Sequence, residues 1–269
     1  MKRLCDRYGV TRSGYYASRR RKPSARRRQD ERLLTRIRAI FEASDGTYGS
    51  PRIHFSLKQA GFPVARKRVA RLMREAILIA RSARIYRRMP GTRRFFSGIP
   101  NRVLGLTTTA SNQIWVGDVT YLKSAGRWRY LAVVMDRHSR RVLGWNLGLR
   151  RDLKLTLGAL NRVPKARRCG TNLIFHSDRG VEYSAYPFRT RLAGLAIIQS
   201  MKRPREITDN AFIESFFHSM KSDVIHGNVF DNDHDLNRVV ARYLRRYNRT
   251  RLHSSIGYRS PIGYENVAA

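Results

Sequence analysis

The chain has 269 residues, enough for one large core with a smaller unit, or for two modest domains. Hydrophobic residues make up 42%, which excludes global disorder. Lys and Arg number 55 against 19 Asp and Glu, a net charge of +36, and a surface that repels itself so strongly implies a polyanionic partner such as nucleic acid.

Residues 1–20 suggest a short helix, a turn at Gly9-Val10 and a second helix capped by Thr11. Residues 19–28 are basic, broken by Pro23, and read as a linker. A helical stripe of Leu33, Leu34, Ile37, Ile40 and Phe41 marks residues 29–44. A short helix over 52–59, a turn at Gly61-Phe62-Pro63 and a basic helix over 65–78 follow. In the last, Val69, Leu72, Met73 and Ala76 face inward and leave Lys67, Arg68, Arg71 and Arg74 outward. Helix, glycine turn and basic helix form the pattern of a helix-turn-helix DNA reader; a solvated basic helix is the plainer alternative. Residues 1–100 carry 27 basic and 6 acidic residues, which favours DNA. Residues 79–112, rich in Arg, Gly, Pro and Thr, read as a linker.

The periodicity then changes. Residues 114–122, 130–135 and 142–147 are short β-rich runs separated by turn residues, a three-strand meander. A helix after Asp152, a strand at 172–175, a helix at 186–193 and a strand at 195–199 complete a mixed α/β domain with a five-stranded sheet. Helices over 211–223 and through Leu236, Val240, Leu244 and Tyr247 follow, then a turn-rich basic tail. Cys5 and Cys169 are far apart and exclude a disulfide framework. No apolar run reaches a membrane-span length and no signal-peptide core is present, so a cytoplasmic protein without membrane partners is expected.

Three carboxylates stand out. Asp118 interrupts an apolar strand, where an unpaired charge is costly. Asp178 follows the strand Leu173-Ile174-Phe175, at the end where α/β sheets place ligands. Glu214 shares a polar stripe with His218 and Lys221 on an otherwise apolar helix. Each has a plainer reading: an edge strand, a turn before Gly180, a solvent face. Brought together they repel and raise their own pKa values, a conflict that hard divalent cations remove. Asp231, Asp233 and Asp235 lack the Gly and closing Glu of a Ca²⁺ loop and read as a helix cap. Asp136 reads as a buried partner of arginine, and Trp128 and Trp145 as core or strand-face residues.

Thirty-five residues separate Asp178 from Glu214. With Trp115-Val116-Gly117-Asp118-Val119-Thr120-Tyr121, His176-Ser177-Asp178-Arg179-Gly180, Asp209-Asn210-Ala211 before Glu214-Ser215-Phe216-Phe217, and Arg251-Leu252-His253-Ser254-Ser255, this resembles the OrfB-type transposases of bacterial insertion sequences. These have a retroviral-integrase-like D,D(35)E core. Tyr48-Gly49 with Arg52-Ile53, and Lys67-Arg68-Val69 with Arg71-Leu72-Met73, resemble their helix-turn-helix segment.

The resemblance implies a ribonuclease-H-like core over residues 113–225, preceded by an all-α helix-turn-helix region (a partial unit and linker over 1–28, the domain over 29–85, a linker over 86–112). A C-terminal helical extension covers 226–269. It implies two Mg²⁺ ions, with Mn²⁺ as a substitute, on Asp118, Asp178 and Glu214, and Lys221 against element-end DNA. Supporting roles fall to His176 and Asn210. Implied partners are terminal inverted repeats, target DNA, further copies of the chain and an upstream OrfA-type subunit. The loop over 200–206 departs from the family pattern: it has Pro204 and Glu206 and lacks the usual Gly. A ribonuclease-H-like nuclease and a non-catalytic DNA-binding relative are the alternatives.

Overall fold

The computed structural model describes residues 2–20, 24–81, 98–164, 167, 172–204 and 210–268. The chain forms two compact units, Met1–Arg81 and Ser82–Ala269.

The first unit is all helical: α1 (Lys2–Arg7), α2 (Arg12–Arg20), α3 (Ala25–Ala43), α4 (Ser50–Gln59) and α5 (Arg66–Glu75). Thr11 caps α2 by accepting the Gly14 amide at 3.1 Å. The expected linker is shorter than its basic composition suggests, because Ser24 caps α3 through the Arg27 amide and the helix starts at Ala25. Pro51 in the first turn of α4 fixes φ where no amide donor is needed. Gly61, at φ +79°, turns α4 into α5. Ile37, Ile53, Leu57, Val69, Leu72 and Met73 are buried between α3, α4 and α5.

Arg68 and Arg71 depart from the outward expectation. Both reach back to Asp30 on α3 at 2.7 Å, and Arg71 also holds Glu75 at 2.9 Å. Lys67 and Arg74 remain exposed. The hydrogen bond from Arg71 holds the Asp30 carboxyl below its ordinary value. That contribution is therefore present at neutral pH and lost as the solution is acidified through the carboxylate range. Asp30→Ala is expected to lower the melting temperature of this unit by about 3 °C at pH 7 and by less at pH 3, a difference calorimetry resolves.

The second unit is built on a five-stranded sheet of order β3-β2-β1-β4-β5. Strands β1 (Ile114–Ser124), β2 (Arg127–Asp136) and β3 (Val142–Gly148) form the antiparallel meander. Then come α6 (Leu153–Asn161), β4 (Ile174–Ser177), α7 (Val181–Ser184), α8 (Tyr186–Ala193) and β5 (Ile198–Met201). Strands β4 and β5 run parallel to β1 and to each other. The chain continues as α9 (Ala211–Met220), a π-helical turn Lys221–Ile225, α10 (Asp233–Arg249), a 3₁₀ turn Ser254–Ile256 and α11 (Pro261–Ala268).

Both faces of the sheet are covered. Val116, Leu122, Leu131, Val133 and Met135 pack with Ile213, Phe216, Phe217 and Met220 of α9, and with Leu236, Val240 and Tyr243 of α10. Trp115, Val119, Ala132 and Phe175 pack with Leu155 and Leu160 of α6 and Phe188 and Leu192 of α8. Gly117 allows this close packing, since a Cβ there would collide with the Phe175 ring. Fully burying one such aliphatic or aromatic side chain contributes roughly 1.5–3 kcal/mol.

Asp136 is fully buried, as expected of an arginine partner: Arg167 lies 3.4 Å away. It also accepts the amides of Asn112, His138 and Ser139 at 2.7–3.0 Å. The cap of α10 is Asn232, which accepts the Asp235 amide; Asp233 instead lies in the first turn and holds Arg129 at 2.7 Å. Cys5 is buried with a free thiol, while Cys169 lies outside the described residues. No described helix is long and apolar enough to cross a membrane.

Candidate active site

The sheet register builds the site. Strand β4 pairs with β1 only as far as Gly117 opposite Ser177. Beyond that point the edge of β1 is free on this side. Asp118 is the next residue on β1, and Asp178 is the next residue after β4. Glu214 comes from the first turn of α9, which packs on the same strand.

Asp118 is partly buried, and one carboxylate oxygen accepts the Val119 amide at 2.7 Å. Burial pushes its carboxyl up to about 8, reinforced by the charges of Asp178 and Glu214 and opposed by the Val119 amide and Arg151. Glu214 is raised as well, first by burial and then by Asp178, with Lys202 pulling the other way. Asp118 therefore feels the charge of both other acids, and Glu214 that of Asp178. No three His, Cys, Asp or Glu side chains among the described residues are gathered into a finished metal cage. Uncompensated carboxylates repel, and a guanidinium lies against one of them.

That guanidinium belongs to Arg151, which sequence reasoning missed. It donates to Asp178 at 3.1 Å and to Glu182 at 2.6 Å. Glu182 sits in α7 and is 3% exposed. Asp178 is also fixed by the Gly180 amide, which donates to its second oxygen at 3.0 Å. Gly180 makes the arrangement possible, because a Cβ there would lie 2.6 Å from the Glu182 carboxylate and 2.9 Å from Arg151. Arg151 and Glu182 are far apart in sequence and left no local signal; the residue pattern also hid α7, a single turn long.

His176 is fully buried on β4, and its Nδ1 lies 2.9 Å from the hydroxyl of Ser200, its register partner on β5. It ties together the two strands that lead into the site. Asn210, immediately before α9, is 1% exposed, and among the described residues neither its side-chain oxygen nor its nitrogen has a hydrogen-bond partner. Lys221 begins the π-helical turn with its ammonium 4.2 Å from the centre of the Tyr121 ring. Burial lowers its pKa and Asp118 opposes that shift, so Lys221 belongs to the rim of the acidic cluster. Lys202 and Pro204 are described, whereas Glu206 and Asp209 lie outside the described residues.

The acids lie on a central strand of a mixed five-stranded sheet, just after its parallel neighbour and on a following helix, the places the resemblance implied. Residues 108–206 and 195–261 each match a family model described as "Integrase core domain", and residues 28–86 match one described as "HTH-like domain".

The chain is 34% identical over 280 residues to the transposase InsF for insertion sequence IS3A of Escherichia coli (strain K12), covering 99% of this chain and 94% of that protein. It is 34% identical to the insertion element IS600 uncharacterized 31 kDa protein of Shigella sonnei over 97% of both chains. The HTLV-2 integrase catalytic core domain in complex with magnesium aligns with 58% of this chain and 98% of its own, at 16% identity and a TM-score of 0.45. The chain belongs to the InsF family of insertion-sequence transposases.

Proposed function

We propose that this chain is a DNA transposase that cleaves and joins the ends of an insertion element, using Asp118, Asp178 and Glu214 to hold divalent cations. The observation that carries this reading is the convergence of three carboxylates from different parts of the fold, with Asp118 and Glu214 both raised by burial and by Asp178. The donor set suits the ions: it is all oxygen, anionic and partly desolvated, which favours Mg²⁺, with Mn²⁺ as a substitute. Bound as a pair, such ions activate the attacking oxygen and stabilise the leaving oxygen of a phosphodiester.

The protein supplies the positioning. The Val119 and Gly180 amides fix one oxygen each of Asp118 and Asp178; Arg151 holds the second Asp178 oxygen and gives way to a cation there. Arg151, anchored on Glu182, offsets charge beside Asp178. Lys221 stands next to Asp118 and takes the phosphate of the element end. In the helix-turn-helix unit, Lys67 and Arg74 are exposed and contact DNA directly; Arg68 and Arg71 do so only by leaving Asp30. Terminal inverted repeats and target DNA are the partners, bound by several copies of the chain in the bacterial cytoplasm, with an upstream OrfA-type subunit.

A strand-transfer assay with pre-cut element ends and Mg²⁺ tests this. Joined product is expected, and Glu214→Gln is expected to reduce it at least ~10³-fold, the loss of several kcal/mol of charge stabilisation. Hydrolysis without joining makes the protein a nuclease. Mg²⁺-dependent joining that survives Glu214→Gln removes Glu214 from the site. No activity with either metal makes it a non-catalytic relative.

A further inference from the structure

The hairpin between β1 and β2 carries a feature that catalysis does not use. Residues on one face of an antiparallel pair alternate, so Tyr121, Lys123, Trp128 and Tyr130 share a face. Further along this face, Trp115, Val119 and Ala132 are buried in the core shared with α6. At the hairpin end that cover stops. Tyr121 is 41% and Trp128 53% exposed, yet the two rings are fixed edge to face with centroids 5.1 Å apart.

Cations surround the pair. The Lys221 ammonium lies 4.2 Å from the centre of the Tyr121 ring. Lys123 stands opposite Trp128 in the register and is exposed. Through Lys221 the pair also adjoins Asp118, whose charge Lys221 senses. Two ordered aromatic rings in water beside two cations match one ligand chemistry: an aromatic group carried on a polyanion.

We infer that Tyr121 and Trp128 form a stacking platform for an unpaired nucleobase of the DNA being processed, with Lys221 and Lys123 on the flanking phosphates. A paired base keeps its faces inside the helix stack, so only a base drawn out of the duplex, or on a single-stranded end, meets an exposed ring. Stacking of this kind tolerates any sequence, because every base has a π-face. An apolar protein surface would gain nothing from the two cations. The inference takes its setting from the reading of the acids as a DNA-processing site, but its test requires no catalysis.

Fluorescence anisotropy on the full chain, with chelator present, compares three DNA probes: a blunt duplex, the duplex with a short single-stranded overhang, and the same overhang made abasic. The last two have equal numbers of phosphates and differ only in the bases. The wild-type protein is expected to bind the natural overhang roughly ten-fold more tightly than the abasic one. Trp128→Ala is expected to erase that preference, Trp128→Phe to keep most of it, and both to bind the blunt duplex like wild type. Equal binding of the two overhangs by wild type, or a preference that survives Trp128→Ala, overturns the platform. Strand joining without base discrimination also rejects the platform and leaves the acids as assigned. Base discrimination without joining supports the platform and rejects the reading of the acids.

Discussion

Replacing Asp118 with Asn is expected to reduce DNA cleavage and joining by ~10³-fold or more while making the metal-free protein harder to unfold at alkaline pH. Asn keeps the shape and can still accept the Val119 amide, but cannot supply an anionic ligand. The stability effect follows from the pKa. In the folded chain burial and the neighbouring acids hold the Asp118 carboxyl at about 8, far above its ordinary 3.8. Below about pH 4 the group is protonated in folded and unfolded chains alike, and its contribution is fully present. Between these values the unfolded chain releases the proton and the folded chain keeps it, so stability declines as pH rises. Once the pH passes 8 the loss is complete. Partial exposure to water limits the effect, leaving a gain for the variant of about 2 kcal/mol at pH 9, or roughly 4–8 °C in melting temperature. Thermal melts in chelator at pH 6 and pH 9 measure it. Equal pH dependence in wild type and variant would mean that Asp118 carries no such stress, and wild-type joining by the variant would remove it from the site.

Much of this was legible in the sequence because it is local. The three strands of the meander announced themselves by β-branched runs and by the turn at Ala125-Gly126, and helix α8 covers the residues its pattern marks. Strand β4 lies two residues later than its apolar run because His176 and Ser177, though polar, are fully buried; Ser200 on the next strand satisfies the histidine. Strand β5 also starts late, since Ala196 takes a positive φ in the turn after α8. The tail hid α11, whose opening Pro261 reads equally well as a turn residue or as the first position of a helix. The positions of the three acids followed from strand order and spacing. Their surroundings did not. Arg151 meets Glu182 and Asp178, and Arg71 meets Asp30, only because the fold closes long loops. A sequence shows the charges but not which charge faces which.

Arg251→Ala is expected to cost about 3–5 kcal/mol of stability. The motif around Arg251 is shared with the transposases the chain resembles, which invites a catalytic role, but the structure gives it a structural one. Arg251 is 3% and Asp223 4% exposed. The guanidinium donates from Nε and Nη2 to one Asp223 oxygen, both at 3.0 Å, and the Tyr243 hydroxyl donates to the same oxygen at 3.2 Å. Asp223 belongs to the π-helical turn that ends α9, while Arg251 follows α10. The pair thus pins the far end of the helix that carries Glu214 and the turn that begins with Lys221. Truncating Arg251 leaves the Asp223 carboxylate without its cation in a site closed to water, which is the costly half of breaking a buried pair. Removing both charges while keeping bulk, with Asp223→Ala and Arg251→Met together, is expected to restore most of the loss, because the desolvation penalty disappears along with the attraction. Urea denaturation of the two variants and wild type separates the cases. A single variant within about 1 kcal/mol of wild type would show that water reaches the pair. A double variant no better than the single one would place the energy in the geometry of the guanidinium rather than in the stranded charge.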